Sequence, residues 1–189
     1  MTTTQKIVLA SESPRRRELL AELGIPFDVV PSGIEERPWP GEAPASYALR
    51  NASDKARVVF ARTGGIVLSA DTIVVCDGHI LEKPADANDA RRMLRMLSGR
   101  AHEVITGLCV LTRDRETGRA VATRVVFKEL PDKQIDAYVA TGEPMDKAGA
   151  YAIQGGAVEF VERIEGSYSN VVGLPLEVLR SLLGVTRVP

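Results

Sequence analysis

The stretch Ile66–Val75 constrains this chain most. It is a β-like run of Ile, Val, Leu and Ala into which Ser69, Asp71 and Thr72 are set. A carboxylate inside an apolar strand is costly unless it is hydrogen-bonded or binds a cation. Directly after the run, Asp77-Gly78 is a two-residue turn of the kind that closes a β-hairpin, here onto Ile80-Leu81-Glu82. A two-residue loop sets Cys76 opposite His79 and, counting back, Thr72 opposite Lys83, with Asp71 sharing the other face with Glu82. Pro84 holds Lys83 extended. One hairpin thus delivers Asp71, Thr72, Glu82 and Lys83 to one end of a sheet.

The flanking segments alternate between strand and helix. Lys6–Ala10 reads as a short buried strand, and Ser13-Pro14 opens a helix to about Leu23, with Ser13 as N-cap and Gly24 beyond its end. Phe27–Val30 reads as a strand, Pro31–Pro44 as a loop, and Ala45–Thr63 as a helix closed by Gly64-Gly65. Asp86 caps a helix whose Ala90, Met93, Leu94 and Leu97 recur at helical spacing before Gly99. Strands are expected at Glu103–Leu111, Ala120–Leu130 and near Val158–Ile164. Helices are expected at Asp132–Ala140 and Leu174–Leu183, with a Gly-rich loop from Gly142 to Gly156. The pattern predicts a single α/β domain over residues 1–189, with a mixed β-sheet flanked by helices.

Composition then excludes chemistries. With two histidines and no C-x-x-C, a Cys/His zinc site is not expected; no P-loop or G-x-G-x-x-G is present. The net charge of −1 provides no global field for nucleic acid or an anionic membrane, so an anionic ligand needs a local cluster of cations. No apolar run reaches the length of a membrane span. The N-terminal Met1–Lys6 segment lacks the apolar core of a secretion signal. Cys76 and Cys109, isolated in apolar stretches, suit buried thiols in a reducing, cytoplasmic compartment. His102, ahead of a strand, reads as structural.

Three places break local rules. Arg15 and Arg16 fall in the first turn of a helix, where cations cost about 0.3–1 kcal/mol each against the helix dipole. An anion docked there would reverse that cost, because backbone N–H groups and guanidinium forks would converge on it. The alternative is a solvated basic face with Glu18 as partner. Lys55 falls within the apolar stripe marked by Ala48, Ala52 and Val59, so its ammonium either finds a partner inside or snorkels from the margin. Asp71 either lines a cleft, where it positions a water or a cation, or caps a turn. Glu35-Glu36, in the Pro-rich loop, are either metal ligands or ordinary loop charges.

With these pieces in order, the chain resembles the Maf family of nucleoside triphosphate pyrophosphatases over nearly its whole length. The matching motifs are Leu9-Ala10-Ser11-Glu12-Ser13-Pro14-Arg15-Arg16, Ser69-Ala70-Asp71-Thr72, Glu82-Lys83-Pro84, Met93–Arg100, Asp146–Gly155 and Gly166–Pro175. The resemblance implies a fold similar to that of inosine triphosphate pyrophosphatases, a homodimer, a small-molecule nucleoside triphosphate as substrate, and dependence on Mg²⁺ or Mn²⁺. It implies Asp71 as proton acceptor and metal ligand, and Glu36 as the acidic loop position that also holds metal. Ser11, Arg15, Arg16, Lys55 and Lys83 match the phosphate-contacting set, Lys83 also being a catalytic candidate. Arg15, Thr72 and Gln154 match positions linked to base preference.

The Ile153-Gln154-Gly155 loop resembles that of the dTTP/UTP branch. A Gln carboxamide offers both a donor and an acceptor, as does the O4/N3–H edge of uracil or thymine. Two rivals remain at this level: a pyrophosphatase for modified nucleotides such as 7-methyl-GTP, and a non-catalytic regulator of cell division.

Overall fold

A computed structural model describes residues 6–184; the N-terminal residues read above as lacking a secretion signal lie, apart from Lys6, outside them. The strands are β1 (Ile7–Leu9), β2 (Phe27–Val29), β3 (Ile66–Cys76), β4 (His79–Leu81), β5 (Ala101–Leu111), β6 (Glu116–Phe127) and β7 (Val161–Glu165). The helices are α1 (Pro14–Ala21), α2 (Pro44–Thr63), α3 (Ala87–Leu97), α4 (Asp132–Ala140), α5 (Tyr168–Val172) and α6 (Leu176–Leu183). The strands order β2-β1-β3-β5-β6-β7, with β4 paired to β3 off this path. β1 runs parallel to both β2 and β3, while β3–β4 and β6–β7 are antiparallel. This is the mixed sheet expected from the sequence.

The chain divides into two compact units. The first comprises residues 1–71, 106–121 and 173–189, and the second residues 72–105 and 122–172. Strands β3, β5 and β6 contribute residues to both.

In the first unit, α2 follows from its stripe: Tyr47, Ala48, Asn51, Ala52, Lys55, Ala56 and Val59 are buried, the spacing of one helical face. Small residues on that face let it approach the strands closely. At Gly107 in β5, an added Cβ would lie 2.2 Å from the Ala48 carbonyl oxygen, so only glycine fits there. Ala52, Ala56 and Val59 pack with Ala10, Val67, Cys109 and Leu111. Helix α1 begins as expected, with the Ser13 hydroxyl accepting from the Arg16 amide and Pro14 in the first turn.

In the second unit, the hairpin turn has the expected register: Cys76 faces His79, and Asp77 and Gly78 both take positive φ (49° and 77°). The ladder ends at Val74–Leu81, short of the Thr72–Lys83 pair counted from the turn. Beyond it the Glu82 carbonyl accepts instead from the Gly149 amide at 3.1 Å. Around Val74, Leu94 and Leu97 the core gathers Phe127, Ile135, Tyr138, Tyr151 and Phe160.

Three boundaries differ from expectation. The β5–β6 connection is tighter, because the Thr112 amide closes onto the Arg115 carbonyl, so β6 takes in Glu116-Thr117-Gly118. The start of the strand near Val158 is a short 3-10 turn over Gly156–Phe160. The C-terminal helix forms as expected but starts at Leu176, with Pro175 as its N-cap, and a short helix that was not expected, α5, precedes it. No helix among the described residues is long and apolar enough to cross a membrane. Both cysteines are free and buried, as expected.

His102 lies inside β5, 3% exposed. Its Nε2 is 2.8 Å from the Tyr151 hydroxyl, and its ring meets Phe127 and Tyr151 edge-on. Burial drives its pKa down to about 4, so the residue is structural and neutral. A histidine whose folded pKa is depressed stabilises fully above its unfolded value and loses that contribution as pH falls toward the folded one. Unfolding free energy is therefore expected to drop by about 3 kcal/mol from this residue alone as pH falls from about 6.5 to about 4. Urea midpoints measured against pH check this, and His102→Gln should flatten that part of the curve.

Candidate active site

Within the first unit, three ionisable side chains meet at one point. Lys55, on the buried stripe of α2, places its Nζ 2.7 Å from Asp71 Oδ1 and 2.8 Å from Glu36 Oε1. Asn51, one helical turn earlier, donates to Asp71 Oδ2 at 3.0 Å. Lys55 and Asp71 are 7% and 5% exposed, so Lys55 is a paired interior cation and does not snorkel. Asp71 caps no turn; it sits inside β3. Breaking such a buried pair by removing one partner typically costs about 3–5 kcal/mol, because the other charge is left uncompensated.

The two carboxyl groups are pushed apart in acidity. Burial opposes ionisation of Asp71, but the Lys55 charge and hydrogen bonds from Glu36, Lys55 and Asn51 outweigh it, leaving this carboxyl below the ordinary value. For Glu36, burial and then the Asp71 charge raise the carboxyl above its ordinary value, against the pull of Lys55. Two carboxyl groups around one ammonium cannot both ionise freely, so Asp71 is the anion and Glu36 the better proton holder.

The start of α1 lies in reach of this charge. Ser11, 6% exposed, accepts through Oγ from the Ser13 amide and from Arg16 Nη1, each at 3.2 Å. Arg16 Nε donates to the Gly173 carbonyl at 2.9 Å. Burial lowers the Arg16 pKa, and the negative charges of Asp71 and Glu36 oppose that shift. The half-buried Arg15 is its neighbour in a first turn that carries no acidic residue. The rule-breaking arginine of α1 and the buried carboxylate of β3 thus act on each other.

The structure therefore brings together Ser11, Arg16, Glu36, Lys55 and Asp71, with Arg15 beside them in sequence. Glu35 takes the other path open to a loop charge: it pairs with Arg37 at 2.6 Å, and both are exposed. Thr72, Lys83 and Gln154 belong to the second unit. There Lys83 is exposed and Thr72 half-buried. Gln154 is exposed in a turn closed by the Gly155 amide on the Ala152 carbonyl.

Two sets of residues escaped the sequence reading. Asn51 holds the second oxygen of Asp71, and its signal was present: a polar residue one turn before Lys55 on the same buried stripe. Tyr138 and Glu143 hold the Gln154 turn. The Tyr138 hydroxyl donates to Glu143 Oε1 at 2.9 Å and accepts from the Ala152 amide, while Glu143 Oε2 accepts from the Gly156 amide at 3.2 Å. A Cβ on Gly155 would collide with that carboxylate, 1.8 Å from Oε1.

Among the described residues no group of three or more His, Cys, Asp or Glu could hold a metal ion. The protein oxygen donors at this point are the two carboxyl groups of Glu36 and Asp71. That set suits Mg²⁺, which commonly takes one or two carboxylates and completes its shell with water and substrate phosphate.

Comparison with known proteins gives the family and the fold. The Maf-like protein family model matches residues 6–185. A protein of Geobacter sulfurreducens named dTTP/UTP pyrophosphatase is 63% identical over 94% of this chain and 95% of its own length. One of Thermococcus onnurineus with the same name is 54% identical over 93% and 95%. Among solved structures, a HAM1 protein from Coxiella burnetii aligns with a TM-score of 0.57 at 17% identity, over 95% of this chain and 98% of its own. The Ham1 protein of Staphylococcus aureus gives 0.56 at 13%, over 97% and 100%. These two likenesses are of the fold, and they meet the expectation drawn from the sequence.

The raised Glu36 carboxyl has a consequence for stability. A carboxyl whose folded pKa lies above its unfolded value of 4.5 destabilises the fold once pH rises through that window, because ionisation is easier in the unfolded chain. Glu36→Gln removes that load and leaves an oxygen for Lys55. In protein kept free of divalent cations, the variant is expected to unfold at higher urea than the parent at pH 7, with the gain vanishing below about pH 4.5. Paired urea titrations at the two pH values measure it.

Proposed function

We propose, from the premise that this chain belongs to the Maf family, that it hydrolyses dTTP and UTP to the nucleoside monophosphate and pyrophosphate. The observation that carries the reading is the Glu36–Lys55–Asp71 array, in which Lys55 and Asp71 are buried, with Arg16 of the α1 N-terminus close enough to feel both carboxyl charges. The relatives named dTTP/UTP pyrophosphatase support the substrate.

The reaction is attack of water on the α-phosphorus. As the new P–O bond forms, the bond to the α–β bridging oxygen breaks, and its electron pair leaves with pyrophosphate. Asp71, ionised and fixed from both sides by Lys55 and Asn51, orients the water and takes its proton. Positioned general-base action of this kind is worth about 10²–10⁴ in rate. Glu36, whose carboxyl is raised above its ordinary value by burial and the Asp71 charge, shares the Lys55 ammonium with Asp71. Ser11, Arg15, Arg16 and the first-turn amides of α1 offer donors to phosphate oxygens, and charge building on the leaving group strengthens those contacts. Lys55 holds Asp71 in place and adds positive charge. By family resemblance Lys83 contributes further positive charge, Thr72 belongs to the base-preference set, and Gln154 reads the base edge through its paired donor and acceptor.

Glu36 and Asp71 would also hold a divalent cation, Mg²⁺ or Mn²⁺. When bound, such an ion supplies Lewis-acid polarisation of phosphate oxygens. The reduced, buried thiols support a cytoplasmic location, the resemblance supports a homodimer, and the near-zero net charge supports a small-molecule ligand over nucleic acid or a membrane.

Asp71→Asn is expected to lower kcat for UTP by at least about 10²-fold while nucleotide affinity by calorimetry stays within a few-fold. Turnover at the parent rate would refute the base assignment. Arg16→Ala should raise KM for the triphosphate by about tenfold or more, on the order of the 1.5–3 kcal/mol of a charge-assisted contact. Pyrophosphate release measured across dTTP, UTP, CTP and 7-methyl-GTP tests the substrate: preference for the last would overturn the dTTP/UTP reading, and release from none would overturn catalysis.

A further inference from the structure

Glu36 stands on a segment without helix or strand, residues 30–43, yet its carboxyl must be held within hydrogen-bond reach of Lys55. What holds that segment is α2 itself. Arg62 Nη1 donates to the Pro31 carbonyl at 3.3 Å, Lys55 takes Glu36 at 2.8 Å, and Arg50 Nη2 donates to the Arg37 carbonyl at 2.9 Å. The loop thus runs back along the helix, with three of the cations of α2, Arg62, Lys55 and Arg50, gripping it in order.

Of the three, Arg50 makes the most contacts. Its Nε and Nη2 take the two oxygens of Glu42, each at 2.7 Å, in a fork-to-fork pair. Its guanidinium stacks 4.1 Å from the ring centre of Trp39 and lies 5.4 Å from that of Tyr47. Glu42 Oε2 accepts in turn from the Trp39 amide at 3.1 Å. The Arg50 and Glu42 side chains are 19% and 8% exposed, well shielded for a surface loop, whereas the Trp39 side of the stack faces solvent at 62%. A guanidinium that binds the carbonyl directly after Glu36, a carboxylate six residues on and an aromatic ring between them fixes the loop end at three points. A lysine, with one round charge and no plane, would keep at most one of those contacts.

We propose that Arg50 is a positioning residue: by clamping Arg37, Trp39 and Glu42 onto α2 it sets the Glu36 carboxyl against Lys55 and Asp71. The inference rests on the pyrophosphatase reading for its effect on rate, but not for its effect on the loop. Arg50 touches none of the reacting groups, and its contribution runs through the backbone that follows Glu36.

The test uses the full chain with Arg50→Lys and, cutting the same clamp from the loop side, Glu42→Gln. Arg57→Ala is the control; it lies on the same helix and pairs with Glu116 and with Asp54, which also stands 3.7 Å from Arg50 Nη1 but belongs to α2 and not to the loop. Trp39 is the sole tryptophan of the chain, so its emission reports the stack directly, and amide hydrogen exchange over residues 31–43 reports the loop. Both clamp variants are expected to shift the Trp39 emission and speed loop exchange by tenfold or more, with Arg57→Ala unchanged. In UTP hydrolysis they should lower kcat by about 10- to 100-fold, the usual cost of a small misplacement of an active group, while KM moves less than about threefold because the α1 phosphate donors are untouched. Parent-like exchange and emission in both variants would overturn the clamp, even if the parent protein proved to hydrolyse no nucleotide. A loosened loop with parent-like kcat in an active enzyme would overturn the positioning role. Should Arg50→Lys fold poorly, Glu42→Gln alone decides, by the same outcomes.

Discussion

The ammonium of Lys55, sealed between Asp71 and Glu36, is the interaction on which the first unit is arranged. A lysine side chain carried into a protein interior must be neutralised, and a carboxylate set in an apolar strand carries the same requirement with opposite sign. Each solves the other's problem at 2.7 Å. The second carboxyl, at 2.8 Å, then over-compensates the cation. That surplus, with burial, raises the Glu36 carboxyl above its ordinary value, while Asp71 stays below its own.

The surrounding packing follows from keeping that triad in register. Helix α2 brings Lys55 and Asn51 to Asp71 only because its face is lined with alanine and because β5 offers Gly107 beneath Ala48, where a Cβ would stand 2.2 Å from the helix carbonyl. Ser69 donates to the Ala52 carbonyl, tying β3 to α2 between Asn51 and Lys55. Asp71 is therefore held through its strand, and Lys55 and Asn51 through their helix. Glu36 is the exception. It stands on irregular chain, and side-chain contacts from α2 replace the ladder that a strand would have provided.

That exception also explains what the sequence disclosed. The capped start of α1, the Asp77-Gly78 register and the burial of Lys55 were all legible, because each depends on residues a few positions apart in one element. Asp71 stood out because a carboxylate contradicts the run it interrupts. Glu35 and Glu36 could not be told apart from composition; one pairs with Arg37 in solvent and the other reaches Lys55, and the loop has no periodicity to separate them. Arg50 was hidden for a related reason. Polar residues beside a buried stripe look the same whether they face water, a carboxylate or a returning loop. The C-terminal helix was legible from the apolar spacing of Leu174–Leu183, whereas α5 went unread because its five residues, Tyr168–Val172, are too few to show a helical period.

A chain with a net charge of −1 has to handle a polyanion by local means, and the arrangement of charge shows how. The acidic groups of the array are balanced locally by Lys55, which stands within ion-pair distance of both Asp71 and Glu36. The cations of the α1 turn have no acidic residue beside them in that turn; Arg16 is restrained by neutral acceptors, the Ser11 hydroxyl and the Gly173 carbonyl. Its positive charge is thus oriented by these acceptors and by the pull of Asp71 and Glu36. Against the helix dipole this placement costs stability, and nothing in the packing of α1 requires it. A cost that folding does not explain, beside a carboxylate that folding does not explain either, is accounted for by a ligand whose phosphate oxygens need the one and whose hydrolysis needs the other.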